Sequence, residues 1–266
     1  MSQQVEQFFE NLWQDYLRKT PSAAKVHQVL GGGAEIINDH VAFRTFNIAP
    51  VRLEKLAELF ENMGYFANGD YHFAAKKLRA KHYEHMNKDL PKIFISELMV
   101  EELSEDAQQI IADLVASIDP REVEKDEFLF SGPHWQVTKA QYDRLLEESE
   151  YAAWTSAFGF CANHFTVSIN RLEGYDSLEG VNQKLKDEGF VLNTSGGEIK
   201  GSPEVFLEQS STMADRIPVK FADVTAEIPS CFYEFAKRYD MPDGELYTGF
   251  VAASADKIFE STNAKS

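Results

Sequence analysis

Hydrophobic and polar positions alternate along this chain in two similar stretches, separated by a helical one. Val5, Phe8, Phe9, Leu12, Trp13 and Leu17 recur at helical spacing over 3–19 and make one apolar stripe. A second short helix is predicted after Pro21, ending at the glycines 31–33. "HVAFRTFN" (40–47) then alternates with the period of a strand. "PVRLEKLAELFENMGY" (50–65) returns to the helical period, with a proline at its start and Gly64 as its stop. "DYHFAAKKLRAKHYEHM" (70–86) and "KIFISELMV" (92–100), rich in aromatic and β-branched residues, are predicted strands.

Residues 102–160 change character: "EELSEDAQQIIADLVASI" and "KAQYDRLLEESEYAAWTSAFG" are helical by period and propensity, with "EFLFSGPHW" a short extended piece between them. The strand pattern returns in "ANHFTVSIN" (162–170). It is followed by a helix, "DSLEGVNQKLKDEGF" (176–190), whose Asp-Ser start and Gly189 end fit helix caps. Strand-like segments follow at "VLNT", "VFLEQSS", "VKFADV" and "CFYEFAKRY".

Set side by side, the two stretches repeat. Each opens on a strand with a histidine (His40, His164), continues through a helix and ends on a strand with a glutamate (Glu97, Glu234). A repeat of this kind constrains a fold more than any single motif. It predicts an α+β protein in which two βαβββ modules form one curved mixed sheet. The expected organisation is one domain over 1–266: N-terminal helices (1–36), first module (37–101), helical insertion (102–160), second module (161–240) and C-terminal segment (241–266).

Composition narrows the partners. A formal net charge of −17 argues against nucleic acid, whose phosphates need a basic surface. No apolar run approaches the length of a membrane span, and the acidic amphipathic N-terminus is unlike a signal peptide. Cys161 and Cys231 have neither CxxC nor disulfide-framework spacing, so reduced thiols and a cytoplasmic location are expected. Composition says nothing about oligomeric state. "GGG" at 31–33 lacks the strand–GxGxxG–helix context of a nucleotide loop.

Residues two and four apart on a strand share a face, so His40 with Arg44, and His164 with Thr166 and Ser168, point the same way. Glu234 shares its face with Arg238 and could pair with it instead. If the sheet curls, His40, His164 and Glu234 converge on its concave side. Two histidines and a carboxylate with open positions form the facial triad of non-haem iron(II) oxygenases. Arg44 could then grip a substrate carboxylate with its planar fork. Glu97 as a fourth ligand would suit a Lewis-acid metal; as an ordinary ion-paired glutamate it would play no part. Gln209 and Ser211 on one strand face, and Ser254 in the C-terminal segment, could meet a 2-oxo acid. His72, His82 and His85 fall in a basic, solvated-looking region, and His134 sits near a turn.

The paired modules resemble the vicinal oxygen chelate superfold. Four stretches, "HVAFRTFN", "YDRLLEESEYAAWTSAFGFCANHFTVSIN", "CFYEFAKR" and "GFVAASADKIFEST", resemble the 2-oxoadipate dioxygenase/decarboxylase (hydroxyglutarate synthase) family over residues 40–262. The "ESEYAAW…NHFTVSIN" block is the most specific. The resemblance implies Fe(2+) held by His40, His164 and Glu234, with Arg44 as the substrate-carboxylate anchor. It also implies oxidative decarboxylation of a 2-oxo acid with dioxygen, 2-oxoadipate to 2-hydroxyglutarate in lysine breakdown. Two rivals stand beside it: a glyoxalase-type metal isomerase or lyase using Glu97, and a metal-free small-molecule binder on the same superfold.

Overall fold

The computed structural model describes residues 3–32 and 36–263. Residues 1–2, 33–35 and 264–266, which include Gly33 of the predicted helix stop and the tips of both terminal segments, lie outside the described residues. The N-terminal helices are α1 (Gln3–Lys19) and α2 (Ser22–Gly31). The first module runs β1 (Asn38–Phe46), α3 (Leu53–Asn62), β2 (Tyr65–Phe73), β3 (Leu78–His85) and β4 (Lys92–Leu98). After α4 (Glu105–Ala116), α5 (Lys139–Glu148) and α6 (Glu150–Phe158), the second runs β5 (Ala162–Ser168), α7 (Leu178–Asp187), β6 (Lys200–Ser202) and β7 (Leu207–Ser211). A hairpin, β8 (Arg216–Lys220) and β9 (Thr225–Pro229), interrupts it before β10 (Phe232–Arg238). Helix α8 (Ala252–Ile258) and a 3-10 turn, Phe259–Thr262, end the described chain.

Eight strands form one mixed sheet in the order β2-β3-β4-β1-β5-β10-β7-β6. The modules meet along β1 and β5, which are antiparallel, and each lays its last strand parallel to its first, β4 on β1 and β10 on β5. Read from either edge, the order is the same, as the sequence repeat requires. The apolar sides of β1 and β5 turn away from the site and are covered by helices. Phe43 packs on Phe60 of α3 (centroids 5.5 Å apart) and Phe165 meets Trp13 of α1 edge-on at 5.0 Å. Helix α8 touches β2 on one edge of the sheet and β6 and β7 on the other, so the curl brings the two edges together beneath it.

Several boundaries differ from the sequence reading. The predicted strand over 70–86 is a hairpin: β2 begins at Tyr65, and the chain turns through Ala74–Lys76 with Lys77 left-handed at φ 56°. Helix α3 starts at Leu53 rather than Pro50. The helix predicted through 139–159 breaks at Ser149, whose extended backbone (φ −146°, ψ 109°) ends α5 and whose hydroxyl accepts Ala152 N–H to start α6. "EFLFSGPHW" is entered through a 3-10 turn, Asp126–Phe130, in place of extended chain. "VLNT" contributes a single bridge, Leu192 to Thr212, and "VKFADV" begins in β8, whose hairpin stands outside the main sheet. Cys161 and Cys231 are buried free thiols. Among the described residues no helix is long and apolar enough to cross a membrane.

Candidate metal centre

The ladder sets the site. His40 of β1 and Glu234 of β10 both pair with Thr166 of β5, which runs between them, and His164 sits one inward-facing position along from Thr166, opposite Ala42. Strands lie about 4.8 Å apart, so two intervals place the His40 and Glu234 backbones roughly 9.6 Å from each other. Only the short side chain of Thr166 stands between them, and the longer side chains meet above it.

His164 Nε2 lies 3.0 Å from Glu234 Oε2, and His40 Nε2 lies 3.6 Å from Glu234 Oε1. One donor atom from each of the three residues falls within 4.8 Å of the others. The Nδ1 atoms are turned away and engaged: His40 Nδ1 faces Asp39 Oδ1 at 2.9 Å, and His164 Nδ1 faces Asn163 Oδ1 at 3.0 Å. Both Nε2 atoms therefore look into the same space. All three side chains are buried.

Burial alone would push the Glu234 carboxyl up, yet the adjacent His40 and His164 hold it at about 2. The two imidazoles differ. Burial lowers His164, whose backing group Asn163 is neutral. His40 is lowered by burial too, but Glu234 and the Asp39 carboxylate outweigh that and raise it. A carboxylate flanked by two imidazole nitrogens is the donor set of a first-row divalent metal, and these residues fit one.

A narrow cavity of about 20 Å³, room for about one water, adjoins the three donor side chains. Its wall includes Arg44, Phe94, Gln209, Phe250 and, from α8 and the turn after it, Ile258 and Phe259. Arg44 is buried among the rings of Tyr151, Trp154 and Phe259. Its Nη1 donates to Glu150 (3.0 Å) and its Nη2 to Thr262 (2.9 Å). Arg44 Nε, Gln209 Oε1 and Asn163 Nδ2 are buried without hydrogen-bond partners, and all three residues line this cavity. Gln209 also donates Nε2 to Glu234 Oε1 at 2.6 Å. Unpaired buried polar atoms are costly unless a ligand meets them, which fits a polar guest here.

Other expected contributors stand elsewhere. Glu97 pairs in register with Thr45, on the outer face of the sheet, where it accepts the Leu53 N–H at the start of α3 (2.6 Å) and bonds Arg79. It is not a fourth ligand. Ser211 bonds Ser261 at 2.8 Å and does not line the cavity. Ser254 is buried on α8 beside Gly201, while its neighbour Ala255 faces the cavity. Arg238, the rival partner for Glu234, pairs with Asp39. His82 is buried against Glu84 and Tyr71, contrary to the solvated reading, because its strand face points inward with Phe94. His134 bonds Ser131 at 2.6 Å, away from the site.

Sequence reading missed Asp39 and Asn163. A signal was present, since each ligand histidine directly follows an Asx residue, in "DH" and "NH". It also treated 102–160 as decoration, although α6 supplies Glu150, Tyr151 and Trp154 around Arg44.

Comparison with known proteins shows the family. The family model described as 2-oxoadipate dioxygenase/decarboxylase matches residues 12–244. The chloroplastic 2-oxoadipate dioxygenase/decarboxylase of Arabidopsis thaliana is 36% identical over 93% of this chain and 74% of its own. Among solved structures, a Shewanella frigidimarina protein described as a hydrolase is 61% identical (TM-score 0.91, 94% of this chain and 98% of that one). The hydroxyglutarate synthase of Oryza sativa, solved with 2-oxoadipate, is 35% identical (TM-score 0.91, 98% and 92%). A glyoxalase-superfamily protein of Ralstonia eutropha shares the fold at 22% identity (TM-score 0.72, 91% and 83%). With its curled double-module sheet and its match along most of its length, the chain belongs to the 2-oxoadipate dioxygenase/decarboxylase family.

Proposed function

We propose that this protein is an iron(II)-dependent dioxygenase that converts 2-oxoadipate and dioxygen to 2-hydroxyglutarate and carbon dioxide, a step of lysine breakdown. The observation that carries the reading is the convergence of His40, His164 and Glu234 beside a cavity lined by Arg44, whose Nε is buried and unpaired. Iron held by those three residues would supply oxygen activation and a chelation point for the 2-oxo acid. Arg44 anchors the far carboxylate of the substrate through Nε, its charge focused by the aromatic rings around it. Gln209 orients Glu234 through Nε2 and offers Oε1 to a substrate hydrogen-bond donor. Phe94, Phe250 and Phe259 keep bulk water out. Admission of a six-carbon acid requires the α8 side chains to give way, since the cavity itself is small. The isomerase reading loses its fourth ligand with Glu97 on the outer face, and a metal-free binder has no use for three convergent donors.

The test is anaerobic reconstitution with iron(II), then oxygen uptake with 2-oxoadipate. Uptake matched by carbon dioxide release is the expected result. Full turnover with zinc or nickel and no oxygen demand would overturn the proposal.

A further inference from the structure

A buried cation stands behind His40, on the far side of Asp39. Arg238 of β10 has its guanidinium buried. Its Nε donates to Asp39 Oδ2 at 2.7 Å and its Nη2 to Asp39 Oδ1 at 2.8 Å, a two-pronged pair. Asp39 Oδ1 in turn faces His40 Nδ1. The remaining nitrogen, Nη1, donates to the carbonyls of Tyr247 (3.2 Å) and Gly249 (2.7 Å). That fixes the strap leading into Phe250, whose ring sits edge-on to His40 at 4.8 Å and under the guanidinium at 5.1 Å. Every nitrogen of Arg238 is thus engaged within the protein, and the residue does not line the cavity. It cannot be a second substrate anchor.

We propose that Asp39 and Arg238 are positioning residues for His40, a unit that fixes its ring and strengthens it as a metal donor. The inference rests on the metal-centre reading above. A carboxylate on Nδ1 selects the tautomer that keeps Nε2 as the lone-pair acceptor, met here by the Thr166 hydroxyl at 3.0 Å, and makes the imidazole more basic. That carboxylate is buried, and its charge is tolerable only with a fixed cation behind it. Asn163 orients His164 in the same way but supplies no charge. The two histidines are therefore unequal donors, and Arg238 ties the stronger one to the chain segment that walls the cavity.

Cobalt(II) binding, followed anaerobically by titration and by its visible spectrum, tests this without turnover. Asp39→Asn and Arg238→Met are expected to weaken cobalt affinity by about 10- to 100-fold and to alter the spectrum. Arg238→Lys should recover part of the loss. Arg79→Gln, which weakens a pair on the opposite face, should lower the melting temperature yet bind cobalt as the parent does. Parent-like affinity and spectrum in Asp39→Asn, or an equal loss in Arg79→Gln, would overturn the inference. If Arg238→Met does not fold, Asp39→Asn carries the test, because it keeps the shape and an acceptor for His40. His40→Ala separates the two levels. Parent-like cobalt binding there removes the metal-centre reading and this inference with it. Loss there with unchanged Asp39→Asn removes this inference alone.

Discussion

Replacing Arg44 by methionine keeps most of the side-chain volume and removes the charge, so it isolates what the guanidinium does for a bound acid. Two of its three nitrogens are engaged, by Glu150 and Thr262, leaving Nε as the donor within the cavity. A carboxylate meeting Nε gains one charge-assisted hydrogen bond, worth ~1.5–3 kcal/mol. At 1.36 kcal/mol per factor of ten, that is roughly 10- to 150-fold in affinity. Glu150 is partly exposed and rehydrates in the variant, so the fold should survive. The assay is anaerobic calorimetry of the metal-loaded protein with 2-oxoadipate and with 2-oxohexanoate, which has the same carbon count but no far carboxylate. Arg44→Met should lose the full factor for the diacid and less than about two-fold for the monoacid. Equal losses for the two acids would show that Arg44 shapes the cavity without reading the carboxylate.

Glu97→Ala should orphan the buried Leu53 N–H and cost about 1–3 kcal/mol, seen as a lower melting temperature, while metal affinity stays at the parent value. Metal loss in this variant would return Glu97 to the site. Thr166→Leu should abolish metal binding in a folded protein by filling the gap that His40 and Glu234 reach across; retained affinity would mean the ladder geometry is not what limits the site. Glu84 supplies a pH test: burial pushes its carboxyl up, but His82, Asn68 and Lys88 hold it well below the usual value of 4.5. A depressed carboxylate stabilises the fold above the unfolded value and ceases to do so as pH falls through the folded one. The stability gap between parent and Glu84→Gln should be constant above roughly pH 5 and close on acidification below that; a gap that widens in acid would contradict the sign.

Strands β1 and β5 were legible because a polar inner face and an apolar outer face produce a period of two, and α3 and α7 because glycines stop them. The equivalence of His40 and His164 followed from the repeat. The face of Glu97 was not legible, because it depends on the offset between β1 and β4, a tertiary quantity. Arg44's partners were hidden for a similar reason: Glu150 and Thr262 lie 106 and 218 residues away, on elements that no local pattern connects to β1. Burial of His82 in a run of lysines and arginines escaped notice because composition averages over both faces of a strand. The break at Ser149 was readable as a cap, but the strong helical propensity on either side masked it.

The ladder also explains why three candidate ligands converge here and not four. His164 pairs with Phe232, two residues before Glu234, and His40 pairs with Lys92, two residues before Phe94. Phe94 is therefore the first module's counterpart of Glu234, and Glu97 lies three residues beyond it, an odd step that turns it outward. A duplicated scaffold supplies two equivalent histidines, but only the second half supplies a carboxylate. In the first half a buried phenylalanine, packed on Phe250 at 5.0 Å, takes the place and becomes cavity wall. Phe94→Glu would complete a two-histidine, two-glutamate set of the kind that suits Lewis-acid chemistry. The expected outcome is a lower melting temperature without metal, from the buried carboxyl, together with tighter metal binding and loss of 2-oxoadipate-dependent oxygen uptake. Unchanged metal affinity with full oxygen uptake would mean that position 94 is not the vacant corner of the site, and the two-fold reading of the ladder would fail with it.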